Sequence, residues 1–364
     1  MDLPSLSYAP PKKNNISSSK LLHRIVFLDA LRFIAAAAVL LQHSLEQNGE
    51  LGRQFCDIFS PGVFGVVLFF IISGFVIPMA AGKTFELRRF AIRRIFRIYP
   101  LVLFAFAAVA IVGSFGNLPE FAMVKSASLG DWVANLLLIQ DYVHVEPLLG
   151  VTWTLSLEFA WYALFALSLL FLGRRFDNWL AIGAPLGMIA LVTASLWFDH
   201  RLPLGRIGMI YIAILGCRTY RYLIGEVSAR RLAIDASAFI IVTTIGNVVA
   251  FGYFRHPTIT MMQAVVPWIV APALFLLVSG VPRIHHSRFF NSPLLGSLGA
   301  ISFSTYLLHP LALAIAKTYS PSDIWLIVGF SLTLLLSIVG YRFVEMPGQA
   351  LGRRLTLSSS ASAR

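Results

Sequence analysis

Ten stretches of this chain are apolar over roughly the 17–25 residues that a helix needs to cross about 30 Å of hydrocarbon. They lie at 25–45, 62–81, 98–116, 151–172, 178–197, 204–217, 232–252, 263–280, 297–316 and 324–343. The sixth is short, and 130–142 reads as an additional interfacial segment. In lipid every backbone N–H and C=O must be bonded within the protein, which leaves helices or closed barrels, and runs of this length select helices. The expected fold class is all-α: a polytopic integral membrane protein of about ten transmembrane helices. No gap between the runs is long enough for a soluble domain, so 25–343 reads as one transmembrane domain. Residues 1–24, rich in Pro, Lys, Asn and Ser, read as a disordered cytoplasmic tail, because the apolar core of a secretory signal comes sooner. Residues 344–364 read as a C-terminal cytoplasmic tail.

Only 13% of the 364 residues are charged, where a soluble domain carries about a quarter. The net charge of +12 raises nucleic acid as a partner, but the chain has no nucleic-acid recognition motif, and its cations sort by side. With the N-terminus inside, alternate loops hold 22 Lys and Arg on the inside and 6 on the outside. That asymmetry places both termini in the cytoplasm. Cys56 and Cys217 then face opposite sides, whereas bridged cysteines have Cα atoms within about 7 Å. No metal-ligand spacing appears, and His285 and His286 read as solvated residues of a basic loop. No permanently bound cofactor or metal is expected.

The first run, LDALRFIAAAAVLLQHS (28–44), carries three ionisable residues. Measured from Asp29 at 100° per residue, Arg32 falls at about 300°, Ala36 at about 340° and His43 at about 320°. The three ionisable groups therefore share a face, as groups facing a bundle interior or cavity do. Arg32 and His43 are about 16 Å apart along the axis, so they would serve different parts of a long substrate. A simpler account pairs Asp29 with Arg32 one turn on and lets His43 reach the outer interface.

Further motifs follow in order. FFIISGFVI (69–77), RRIFRIYP (93–100), WTLSLEFAWY (153–162), SFSTYLLHP (302–310) and FVEMP (343–347) are spread over the ten runs. With Arg32-x10-His43, this ordered set resembles the membrane-bound acyltransferase-3 family. Thr154 departs from the pattern, standing where serine is usual. The resemblance implies an O-acyltransferase moving an acyl group, commonly acetyl from acetyl-CoA, to a hydroxyl of a glycan or other cell-envelope molecule. It implies the stand-alone type, without a C-terminal extracytoplasmic domain, and a bacterial cytoplasmic (inner) membrane location. The expected partners are the lipid bilayer, acyl-CoA as donor substrate and a glycan or lipid-linked acceptor.

Acyl transfer to an alcohol needs a base and stabilisation of the tetrahedral oxyanion. His43, with the side chain that titrates nearest neutrality, is the candidate base or acyl carrier, and both roles stay open. Arg93, Arg94 and Arg97, at the cytoplasmic start of the third span, suit the phosphates of CoA. Arg88 and Arg89 read as positive-inside anchors. Arg32 and Glu158 complete the expected catalytic set; a buried Glu158 could orient His43 or bind the acceptor hydroxyl. Secondary candidates are Asp29, Trp153, Tyr306 and His309. Ser73 reads as a packing residue beside Gly74, with no G-x-S-x-G elbow around it. Two rival readings remain: a multi-span transporter or flippase lined with buried charges, and the other large membrane O-acyltransferase class, which would use His309 and leave Arg32-x10-His43 idle.

Overall fold

The computed structural model describes residues 26–361 apart from 83, 84, 117 and 256–258. The expected N-terminal tail, 1–24, lies outside the described residues. Among the described residues there is no strand. The chain runs through α1 (Val26–Glu46), α2 (Glu50–Ile58), α3 (Pro61–Ala81), α4 (Leu87–Phe115), α5 (Leu129–Leu136), α6 (Trp153–Leu172) and α7 (Phe176–Trp197). It continues through α8 (Leu204–Leu223), α9 (Ala229–Asn247), α10 (Met261–Gly280), α11 (Pro293–Ala300), α12 (Ser302–Tyr319), α13 (Trp325–Gly340) and α14 (Met346–Ala361).

Among the described residues, seven helical stretches are long and apolar enough to cross a membrane, or eight if α11 and α12 form one bent span. The difference from ten has two sources. The stretch Gly150–Trp197 counts once at 48 residues, although it would reach about 72 Å as a straight helix. It is divided between α6 and α7 at Gly173, whose φ of +65° is left-handed backbone that glycine adopts without strain. The short sixth run lies in α8, where Arg206, Arg218 and Arg221 interrupt the apolar length that a span needs. Arg218, counted among loop cations in the sequence, is instead a buried residue of α8. Its guanidinium donates to Asp177 (2.5 Å), Asn178 (2.7 Å) and Asp235 (2.8 Å), joining α7, α8 and α9. The segment 344–364, expected as a tail, is helical over Met346–Ala361, and α14 packs along α4.

The centre of the bundle is α3, which is apolar on every side and packs against α1, α8 and α10. Ser60 caps it by accepting from Val63 N–H (3.2 Å), and Pro61 occupies its first turn. Its contact with α8 is made by small residues, as helix contacts in lipid require. A Cβ on Gly74 would lie 1.9 Å from the Ala213 carbonyl oxygen, and one on Gly216 would lie 2.1 Å from that of Ile71.

Two interruptions position the site. The expected span 297–316 breaks at Ile301, where α11 and α12 meet at 63°. Between α13 and α14 the helix widens to a π-turn over Tyr341–Glu345. Such a turn inserts a residue into the helical repeat and re-aims the side chains after it. Non-helical backbone at membrane depth is tolerated where it is buried in protein or lines a cavity.

Candidate active site

Three arginines from two helices converge on one cavity of about 120 Å³. Arg32 comes from α1, while Arg94 and Arg97, three apart and so on one face, come from α4. The apolar wall belongs largely to α3, through Val66, Phe69, Phe70, Ile72, Val76 and Ile77. Thr154, Glu158 and Tyr162 enter from α6, and Ser302, Phe303 and Tyr306 from the first turns of α12 beyond the 63° break.

Each arginine is held differently. Arg32 Nη1 donates to Asp29 Oδ1 at 3.1 Å, the pairing along the helix that the sequence allowed. Arg97 donates to Glu345, whose carboxylate is fully buried. Glu345 also accepts from Ser304 Oγ (2.9 Å) and Gln349 Nε2 (3.1 Å), and the Arg97 guanidinium lies 5.6 Å from the Phe303 ring centre. Arg94 has no ion pair among the described residues. It sits against the rings of Phe90 (5.4 Å) and Tyr162 (5.5 Å), and its buried Nε has no hydrogen-bond partner. Glu158 accepts from the Tyr162 hydroxyl. The wall thus presents three cations against one carboxylate, with Asp29 and Glu345 standing behind it. A cleft with that balance attracts an anion.

Tyr306 also lines the cavity. Its hydroxyl lies 2.8 Å from Thr154 Oγ1 and donates to the Val151 carbonyl at 3.0 Å. Thr154, the residue that departs from the usual serine, therefore keeps the hydroxyl, which meets both Tyr306 and the Val151 carbonyl (3.0 Å).

His309 and His43 form the next layer. Ring centres are 6.2 Å apart from Tyr306 to His309 and 5.2 Å from His309 to His43, the two imidazoles being stacked at 30°. His309 is fully buried. Its Nδ1 faces the carbonyls of Tyr306 (2.8 Å) and Thr305 (3.2 Å), so that nitrogen carries the proton and donates. Its Nε2 is buried without a partner. The side chain of His43 is 40% exposed, with Nδ1 3.4 Å from Glu46 Oε2.

Of the residues named from the sequence, Arg32, Arg94, Arg97, Glu158 and Tyr306 line the cavity. Asp29 lies behind Arg32. His43 and His309 pair with each other outside the lining. Glu158, expected to orient His43 or hold an acceptor, is bonded to Tyr162 beside the arginines. Arg93 points to α14, with Nε 3.4 Å from Thr356 Oγ1, and Trp153 packs half-buried in the core. Sequence reasoning passed over Glu345, although a signal was there: beyond Asp323 it is the only acidic residue in the chain, at the end of an apolar run.

The sequence profile of an acyltransferase domain, that of acyltransferase-3, matches residues 25–342. The chain belongs to this family. It is 30% identical to the acyltransferase MdmB of Streptomyces mycarofaciens over 152 residues, covering 40% of this chain and 39% of MdmB. It is 24% identical to the O-acetyltransferase OatA of Staphylococcus aureus (strain NCTC 8325 / PS 47) over 356 residues, covering 88% of this chain and 56% of OatA. The chain thus spans less than two thirds of the length of either relative. No solved structure gives a significant match. In this acyltransferase-3 chain, the RRIFRIYP (93–100) and FVEMP (343–347) motifs meet through Arg97 and Glu345.

Proposed function

We propose that this chain is a membrane-bound O-acyltransferase that moves an acetyl group from acetyl-CoA to a hydroxyl of a cell-envelope glycan, in a bacterial cytoplasmic membrane. The observation that carries the reading is the cavity bearing Arg32, Arg94 and Arg97 in a chain of this family. CoA is polyanionic, and planar guanidinium groups bind phosphate oxygens through paired hydrogen bonds. In the proposed topology of ten spans with both termini cytoplasmic, α4 starts on the cytoplasmic side, where acyl-CoA is made available.

Arg94 is the guanidinium free to take a donor phosphate, because Arg32 and Arg97 already have carboxylate partners. His43, half-exposed and stacked on His309, serves the acceptor. As base it takes the hydroxyl proton while the oxygen attacks the thioester carbon; the C–S bond breaks when the tetrahedral adduct collapses, and the thiolate takes up the proton. As acyl carrier it would hold the group first. Both routes require donor and imidazole to be brought together, since neither His43 nor His309 lines the arginine cavity.

The break between α11 and α12 is also a feature of transporters. One comparison tests the enzyme against that reading: the masses of envelope glycans from cells with and without the gene. Acetyl groups on glycan hydroxyls that disappear with the gene support O-acetyl transfer. An unchanged acetyl content with an altered amount of exported glycan would favour transport.

A further inference from the structure

Ser73 differs from five other serine and threonine hydroxyls buried in these helices. Thr219, Thr243, Ser279, Thr333 and Ser337 each donate to the carbonyl four residues before, at 2.6–2.9 Å. This back-bond is the ordinary way for a helix in lipid to satisfy a hydroxyl. Ser73 does not make it. Its Oγ is buried, has no hydrogen-bond partner, and belongs to a side chain that lines the arginine cavity. The packing role expected at this position falls to the next residue, since it is Gly74 that abuts the Ala213 carbonyl. A buried hydroxyl without a partner is destabilising, so one kept at the wall of a cavity calls for a partner supplied by the ligand.

The surroundings indicate which part of the ligand that is. The cavity-lining residues nearest Ser73 on α3 are apolar: Phe69, Phe70, Ile72, Val76 and Ile77. The cations come from α1 and α4. A neutral donor set in an apolar wall suits a carbonyl oxygen better than a phosphate, and a donor in a low-dielectric site is worth most where negative charge develops. The side chain has no base hydrogen-bonded to it, so it lacks the partner an attacking serine needs.

We infer that Ser73 is a catalytic hydrogen-bond donor to the carbonyl oxygen of the acyl thioester. The inference rests on the acyl-CoA reading above. As the acceptor oxygen bonds to the carbonyl carbon, an electron pair moves onto the carbonyl oxygen and Ser73 Oγ–H stabilises it. The pair then returns, the C–S bond breaks, and the thiolate takes up the proton released by the acceptor. Ser73 keeps its own proton throughout.

The test uses the full-length protein in lipid nanodiscs with acetyl-CoA, following the release of free CoA in the presence of envelope extract. Removing one oxyanion donor typically lowers kcat by about 10²–10³-fold. Ser73→Ala should therefore lose about a hundredfold in kcat, with the KM for acetyl-CoA within about twofold of the unmodified protein. Ser73→Cys, nearly the same shape but a weak donor, should lose at least about tenfold, and it decides the matter if the alanine variant does not fold. Either variant folded and retaining kcat would overturn the inference. So would a raised KM with kcat unchanged, which marks a contact made equally in the ground state. If the unmodified protein releases CoA and the variants match it, only the Ser73 assignment falls. If the unmodified protein releases none, the donor reading falls and this inference with it.

Discussion

Arg97 on α4 and Glu345, 248 residues later, form an ion pair at the wall of the cavity, and the carboxylate side of it is completely buried. The π-turn over Tyr341–Glu345 brings the acid inward, and Ser304 and Gln349 donate to the same carboxylate. Arg97 is thereby fixed in place before any ligand arrives, while Arg94, one turn earlier on the same face, has no carboxylate partner.

Glu345→Ala should destabilise the protein. Removing one partner of a buried pair costs about 3–5 kcal/mol, and Arg97 keeps some solvent, so the lower end is expected. A double-mutant cycle with Arg97→Gln, read by thermal unfolding in detergent, should show the two changes to be non-additive. Additive losses would show that the contact contributes nothing specific.

Arg94→Gln should raise the KM for acetyl-CoA without comparable change for the acceptor. Loss of a charge-assisted bond worth about 1.5–3 kcal/mol corresponds to roughly 10- to 150-fold. Arg93→Gln should leave that KM near normal, because Arg93 is directed at Thr356 on α14. Equal effects from the two substitutions would point to general loop charge, with the arginines acting on topology.

At Arg32, lysine should restore little activity. Arg32 holds Asp29 with one nitrogen and keeps the rest of a planar fork at the cavity, a geometry that an ammonium group cannot reproduce. Full activity of Arg32→Lys, measured as acetyl transfer in membranes, would reduce the role to simple charge.

Gly74→Ala should prevent normal packing of α3 on α8, since the added carbon would lie 1.9 Å from backbone oxygen. Overpacking of this kind costs about 1–3 kcal/mol or more. The unfolding temperature should fall, and it should fall whether or not acetyl-CoA is present.

Much of this arrangement is legible in the sequence because helical periodicity is regular. The face shared by Arg94 and Arg97, the small residue at Gly74 and the pairing of Asp29 with Arg32 all follow from it. What it hides lies where the period fails or where another helix decides. The bend at Ile301 brings Ser302, Phe303 and Tyr306 into the cavity, and no run of apolar residues announces it. The π-turn before Met346 shifts Glu345 off the angle that 100° per residue would assign. On a helical wheel Arg32 and His43 share one face. In the bundle, Arg32 lines the cavity whereas His43 lies outside its lining, stacked on His309. Arg218 reads as a loop cation because its two aspartate partners lie on other helices.

Acetyl transfer by purified protein carrying His43→Ala tests the central claim most directly. Radiolabelled acetyl-CoA and envelope extract are supplied, and label in the glycan fraction is measured. The unmodified protein should label the glycan, and the folded variant should transfer nothing above background, because the imidazole stacked on His309 is the group assigned to the acceptor. Transfer by the folded variant at the rate of the unmodified protein would contradict the account.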